Sequence, residues 1–259
     1  MKKFTKLTAF ALALVMALGL LAGCGSSNSD NSTPSGDDTA KTKLVVATSP
    51  DFPPFESLEG GEVVGIEVDI LNKIAEKMGM ELDIQQMDFD SVIPGVQAGK
   101  FDVGMSGITV TDKRKENVDF SSVYFMAAQA IVVTADSGIT GKADLEGKKV
   151  SVQTGTTAEE YCMGNGYEVL AFTANNDAAA ALTAGKVDAW VVDNEVALAM
   201  APELGLTVLD EAMTSEPYAF AFQKGSELVV PFNEALDALL ADGTVEKIFQ
   251  QYGVTYIAP

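Results

Sequence analysis

Arg114 is the single arginine among seventeen basic residues, and it closes the segment Met105-Ser-Gly-Ile-Thr-Val-Thr-Asp-Lys-Arg114, behind an expected strand end rich in small hydroxyl side chains. A planar fork of N–H donors grips a carboxylate through two parallel bonds. A chain that otherwise takes its positive charge from lysine has therefore placed its one guanidinium for geometry. The chemistry this points to is recognition of a ligand carboxylate; a surface arginine paired with Asp112 or Glu116 at a helix start is the plain alternative. The turn Gly155-Thr156-Thr157 reads as the opening of a helix through Ala158 to Cys162, and the free N–H groups of such an end favour an anion. Thr156 as a simple N-cap fits the same pattern. Asp193 ends the apolar strand Ala189-Trp-Val-Val-Asp193, an informative place for an acid unless it caps the helix that Glu195 begins.

Other chemistries are excluded by composition. The chain has no histidine, which removes histidine-ligated zinc, Ser-His-Asp hydrolysis and Cys-His nucleophiles. Neither a phosphate-cradling loop nor a calcium loop is present. A net charge of −20 argues against nucleic acid, whose phosphates need a basic surface. The same acidity suits solubility in an extracellular setting. No cofactor is implied.

The elements that must position these residues follow a leader. Lys2, Lys3 and Lys6 precede an apolar run from Leu7 to Leu21, too short for a comfortable membrane span, which is the pattern of an export signal. It ends in Leu21-Ala22-Gly23-Cys24, which resembles a bacterial lipobox; an ordinary signal with a chance cysteine is the alternative. The resemblance implies lipidation of Cys24, stable on a bilayer when two or more acyl chains are attached. Cys162 is then the one remaining thiol, and no intramolecular disulfide can form. From Gly25 to Lys43 almost no side chain is apolar, so the segment cannot offset the entropy of ordering and reads as a tether reaching about 25 Å.

From Leu44 onward the chain echoes itself. Ala98-Gly-Lys-Phe-Asp-Val103 recurs as Ala184-Gly-Lys-Val-Asp-Ala189, each after an amphipathic stretch (Ser91 to Gln97, Asp177 to Thr183), and Lys43-Leu-Val-Val-Ala-Thr48 matches Lys149-Val-Ser-Val-Gln-Thr154. Each half alternates strands and helices, which predicts two α/β lobes with parallel-rich sheets. The run Ala128 to Thr134 is expected to join the halves and Tyr218 to Phe222 to cross back, forming a two-strand hinge, since the helices Glu227 to Ala241 and Val245 to Tyr252 come too late for the second half. The expected organisation is a signal peptide over 1–23, a lipid-anchored tether over 24–43, a first lobe over 44–131 and 222–259, and a second lobe over 132–221. Ligands in open α/β sheets collect beyond the carboxyl ends of the strands. Here that means the loops Ser49 to Phe55, Met87 to Asp90, Ser106 to Thr111, Gln153 to Thr157 and Asp193 to Glu195.

Those loops resemble the bacterial extracellular solute-binding proteins of amino-acid ABC importers, the group that holds glutamine-, histidine- and arginine-binding proteins. Gly65-Ile-Glu-Val-Asp-Ile-Leu-Asn-Lys-Ile-Ala75 is similar to the family signature, Asp51-Phe-Pro-Pro-Phe-Glu56 to its first cleft loop, and Ser106 to Arg114 to its carboxylate-binding segment. The resemblance spans Leu44 to Gly253 and implies a two-lobed periplasmic-binding-protein fold of type II that closes on an amino acid. It implies that Arg114 takes the α-carboxylate with the N–H groups of Gly107 and Thr157 and the Thr109 hydroxyl, beside Thr156. It places Asp193 at the α-ammonium with Ser106 and Thr109, Phe52 and Phe89 as side-chain walls, and Ser49 and Gln153 at the ligand's polar tip, with Asp51 and Gln129 as further candidates. Phe55 and Phe101 are expected in the core. Several basic-amino-acid and glutamine binders carry an acid where Ser49 stands; Phe89, Gly107 and Thr109 are closer to the glutamine-binding pattern. The expected partners are a small amino acid, ABC permease subunits and the membrane through the N-terminal lipid, with a monomer on the extracytoplasmic face of the cell membrane. A ligand-sensing receptor without transport, and a cyclohexadienyl-dehydratase-like enzyme on the same fold, are the alternatives.

Overall fold

The computed structural model describes residues 42–259; the expected leader, Cys24 and the tether as far as residue 41 lie outside the described residues. Two five-stranded sheets of matching order carry the chain. In the first, Lys43–Thr48 pairs in parallel with Glu81–Gln86 on one side and Val103–Gly104 on the other, and Ala221–Gln223 returns antiparallel before Val118–Phe120. In the second, Lys149–Gln153 lies parallel between Glu168–Phe172 and Ala189–Asp193, followed by antiparallel Gln129–Val133 and Thr207–Val208. Parallel neighbours need long crossovers, and helices supply them, which is why the inner strands read as nearly continuous apolar runs. Ala189–Asp193 and Gln129–Val133 are buried at every position.

The repeated Ala-Gly-Lys has a physical cause. Helices Phe89–Gln97 and Asn175–Thr183 both end on it, with Gly99 and Gly185 at φ 69° and 67°. Gly99 N–H donates to Val96 O and Lys100 N–H to Gly95 O, and the second copy repeats this with Gly185 to Leu182 and Lys186 to Ala181. This double bond pattern is a Schellman cap, and glycine adopts its left-handed turn at no steric cost. Both helices start two residues earlier than the amphipathic pattern indicates. The two helices at the C-terminal end of the chain, Val229–Ala241 and Thr244–Gln251, pack on Ile66–Met78 beside the first sheet.

The crossings between the sheets fall earlier than expected. Phe125–Ala127 and Glu216–Tyr218 pair antiparallel as a separate two-stranded ribbon, whereas Gln129–Val133 is already a central strand of the second sheet and Ala221–Gln223 of the first. The expected division at 131 and 132 thus cuts a strand. Because that strand is buried on all sides, no change in composition marks where the connection ends and the sheet begins. An aromatic cluster packs against the ribbon: Phe125 stacks on Phe249 at 4.6 Å, and Phe55 meets Tyr218 edge-on at 5.3 Å. Phe55 is fully buried, and Phe101 packs beside Val92 and Val96. No helix among the described residues is long and apolar enough to cross a membrane.

Candidate functional site

The carboxyl ends of the parallel strands in both sheets face one enclosed cavity of about 20 Å³, room for about one water-sized sphere. Of the residues expected to touch a ligand, Phe52, Phe89, Ser106, Gly107, Thr109 and Arg114 line it from the first lobe and Gln153, Thr156, Thr157 and Asp193 from the second, whereas Ser49 and the further candidates Asp51 and Gln129 do not. Larger grooves lie elsewhere: one of about 560 Å³ beside Met78, Met80 and Leu228 is lined from the first lobe alone, and two of about 380 and 410 Å³ span the lobes, but none brings Arg114 and Asp193 together.

Arg114 reaches the cavity from the short helix Asp112–Lys115, whose start is capped by Thr111 Oγ1 accepting from the Arg114 N–H at 3.1 Å. Its guanidinium donates to Thr109 O at 2.9 Å and, across the lobes, to Gly155 O at 3.1 Å. It also lies 5.6 Å above the Phe89 ring centroid, within cation–π range. Burial lowers its pKa from the ordinary value, opposed by the negative fields of Glu160, Glu216 and Asp193; an arginine remains charged throughout. Two of its donors are used, which leaves a pair for a carboxylate.

Asp193 enters from the opposite lobe. It occupies the N-cap position of helix Asn194–Met200, yet its side chain makes no capping bond. The carboxylate turns into the cavity, where Tyr218 Oη donates to Oδ2 and Gln129 Nε2 to Oδ1. It is 7% exposed. Burial pushes its pKa up to about 7, with Glu216 adding to the rise and the Tyr218 bond and Arg114 opposing it. The cap alternative therefore does not describe what this acid does.

The remaining expected contacts divide. Thr157 begins helix Thr157–Gly164 and its Oγ1 accepts from Gln129 Nε2 at 3.2 Å. Thr156 does cap that helix, accepting from Glu159 N–H at 3.2 Å while donating to Gln153 O at 2.7 Å. Ser106 Oγ accepts from Ser49 N–H at 2.8 Å. Two expectations need correction. Gly107 N–H is not free for a ligand, because it donates to Glu67 Oε2 at 3.0 Å. Ser49 does not line the cavity: its hydroxyl turns to Asp51 Oδ1 at 2.9 Å. Gln153 lines the cavity, but its amide also donates to Asp51 and to Thr173 O.

The bond from Gly107 leads to a network with no counterpart in the sequence reading. Glu67 and Glu56 are both fully buried; Glu67 accepts from Tyr124 Oη as well as from Gly107. No donor reaches either Glu56 oxygen. Burial first, and then the negative charge of Glu67, raise the Glu56 pKa well above its ordinary value, which favours its neutral form. Gly107 has φ 53°, and a Cβ there would lie 2.5 Å from the Phe52 ring and 3.1 Å from that of Tyr218, which is why this turn tolerates no side chain. Tyr218 was visible in sequence only as part of a crossing strand; its role depends on a partner, Asp193, that lies 25 residues away.

The matched sheets, the two-strand ribbon and the shared cavity define a two-lobed binding protein with the type II periplasmic-binding-protein fold. A profile of the bacterial extracellular solute-binding proteins, family 3, matches residues 44–255. The chain is 36% identical over 240 residues to the arginine-binding extracellular protein ArtP of Bacillus subtilis (strain 168), covering 90% of this chain and 92% of the relative. It is 33% identical over 264 residues to the ABC transporter glutamine-binding protein GlnH of the same organism, covering 95% and 97%. A solved structure of an ancestral arginine-binding protein bound to glutamine superposes with a TM-score of 0.78 at 41% identity, covering 82% of this chain and 98% of that one. The chain belongs to family 3 of the bacterial extracellular solute-binding proteins.

Proposed function

We propose that this chain, the extracytoplasmic substrate-binding component of an amino-acid ABC importer, captures one polar L-amino acid between its lobes and delivers it to the permease. The observation that carries the reading is the convergence of Arg114 and Asp193, opposite charges from opposite lobes, on one cavity. A free amino acid is a zwitterion, and these two groups match its ends. Arg114 takes the α-carboxylate, helped by the Thr157 N–H at a helix start. Asp193 takes the α-ammonium, oriented by Tyr218 and Gln129. Phe52 and Phe89 hold the side chain between them, with Ser106, Thr109, Thr156 and Gln153 around it.

An amino acid has about ten non-hydrogen atoms, many times what a cavity for one water-sized sphere can take. Entry therefore requires the lobes, 44 to about 127 with about 219–259 against the segment between, to part about the ribbon and close again. A neutral amide side chain such as that of glutamine is the preferred cargo. The Asp51 carboxylate, which could serve a cation, is already held by Ser49, Gln153 and Asn175. Lipidated Cys24 and the tether keep a monomeric body near the permease.

A thermal-shift screen of the twenty amino acids, followed by calorimetry, tests the reading, since a ligand bound only by the native state raises its melting point. At least one polar L-amino acid should do so, and the Arg114→Ala variant should lose the shift. No response to any of the twenty would sink the proposal. One observation favours a second reading: Asp193, with its pKa near 7, could serve as a general acid in a dehydratase. Absorbance assays for turnover of prephenate or arogenate decide it, and no turnover is expected.

A further inference from the structure

Helix Asn175–Thr183 begins without a cap of its own. Its N-cap residue is Ala174, and no side chain of the helix's own end bonds its first N–H groups. Alanine is among the poorest residues at this position, where a side-chain oxygen ordinarily satisfies a free donor and the helix dipole favours negative charge. The missing acceptor comes from the other lobe. Asp51, in the short strand Asp51–Phe52 that pairs with Glu56–Glu59, accepts the Asn175 N–H through Oδ2 at 2.7 Å. The same carboxylate accepts from Gln153 Nε2 at 3.2 Å and from Ser49 Oγ at 2.9 Å. Asn175 in turn donates from Nδ2 to Gln153 Oε1 at 2.9 Å. Asn175 and Gln153 are 1% and 3% exposed, so neither finds a substitute in solvent while the lobes are together.

We infer that Asp51 is a closure latch: it caps a helix of the opposite lobe in trans, so that closing supplies the cap and opening removes it. Asp51 does not line the cavity; it is a positioning residue that biases the closed state. This rests on the reading of the chain as a protein that closes on its ligand. A ligand shifts a two-state equilibrium only by its preference for one state, and a latch adds the same increment to that preference whatever the ligand's side chain.

The test uses the full chain and two readouts. Affinities for a panel of amino acids are measured by calorimetry, and exchange of the Asn175 amide is followed by hydrogen-exchange mass spectrometry. Asp51→Ala should weaken every bound amino acid by a similar factor, about three- to thirty-fold, the worth of an N-cap, and should speed exchange at Asn175. Asp51→Asn, whose side-chain oxygen still accepts, should recover most of both. Asn175→Pro deletes the N–H that Asp51 accepts, at a first helical position that suits proline; it should weaken binding by a comparable factor, and it carries the test if Asp51→Ala fails to fold. A loss confined to some ligands, with Asn175 exchange unchanged, would overturn the latch in favour of direct contact with the ligand, and unchanged affinities in Asp51→Ala and Asn175→Pro would overturn it outright. If the wild-type chain binds no amino acid, the functional reading fails, while protection of the Asn175 amide that Asp51→Ala does not reduce would separately refute the latch.

Discussion

Ligand binding at mildly acidic pH should release a proton, and Asp193 is its source. The carboxyl is almost fully buried, beside Glu216, and its pKa stands at about 7. An α-ammonium in the cavity stabilises the ionised form, so the ligand binds the deprotonated protein. With a pKa near 7, about one Asp193 in ten is ionised at pH 6 and about nine in ten at pH 8, so affinity should rise roughly tenfold between them and flatten above. The stability consequence has the opposite sense. The folded-state pKa is raised above the unfolded value of about 3.9, so the native state binds the extra proton and stability falls as pH rises from about 4 to about 7. Asp193→Asn removes that burden: it should be more stable than wild type at pH 7.5 by about 2 to 4 kcal/mol, with binding lost. The chain contains no histidine, so no side chain of ordinary pKa titrates in this window. Glu56 is also raised, but it does not line the cavity. Calorimetry at pH 6, 7 and 8 in buffers of different ionisation enthalpy counts the protons. An affinity that varies less than threefold across the range, with no proton released at pH 6, would refute the placement of the ammonium at Asp193.

Arg114→Ala removes one partner of a desolvated charge pair, so it should weaken binding by about 2 to 5 kcal/mol, from roughly thirty-fold to several thousand-fold; a fall under threefold by calorimetry would mean the cargo is held elsewhere. Gly107→Ala forces a Cβ to within 2.5 Å of the Phe52 ring at φ 53°, and should lower both affinity and melting temperature, at a cost of about 1 to 3 kcal/mol. Glu67→Ala strands the Tyr124 hydroxyl and the Gly107 N–H and should cost about 3 kcal/mol or more in denaturant melts, whereas Glu56→Gln, replacing an acid that burial pushes toward its neutral form, should change stability by less than about 1 kcal/mol. Equal losses in the two variants would refute the upward shift of Glu56. Phe52→Ala should alter the ranking of ligands, and a uniform loss would count against its role as a side-chain wall.

Some of the residues that touch the cavity were legible because their chemistry is local, whereas Phe52, Phe89, Ser106, Gly107, Thr109 and Gln153 came from the family resemblance. A lone arginine after a hydroxyl-rich strand end, a Gly-Thr-Thr helix start and an acid ending an apolar strand each carry a meaning that depends on a few neighbours in sequence. The Ala-Gly-Lys repeat was legible for the same reason: a Schellman cap is closed by residues within one turn. Placement of the connecting ribbon was not, because Gln129–Val133 is as apolar as the strands around it. The family resemblance assigned Gly107 and Ser49 to a ligand; in the fold Glu67, 40 residues away in sequence, takes the Gly107 N–H, and Asp51, 2 residues on, takes the Ser49 hydroxyl.

The amino-acid sequence by itself determined the two α/β halves, the chemical types around the cleft and the charge signs that suit a zwitterion, since each follows from patterning and side-chain chemistry over short spans. Tertiary structure alone decided which donors remain for a ligand, that the buried Glu56 is pushed toward its neutral form, and which lobe caps whose helix. These depend on partners such as Asp51 and Asn175 or Gly107 and Glu67, far apart along the chain and joined only by packing, where burial sets the worth of every hydrogen bond and charge.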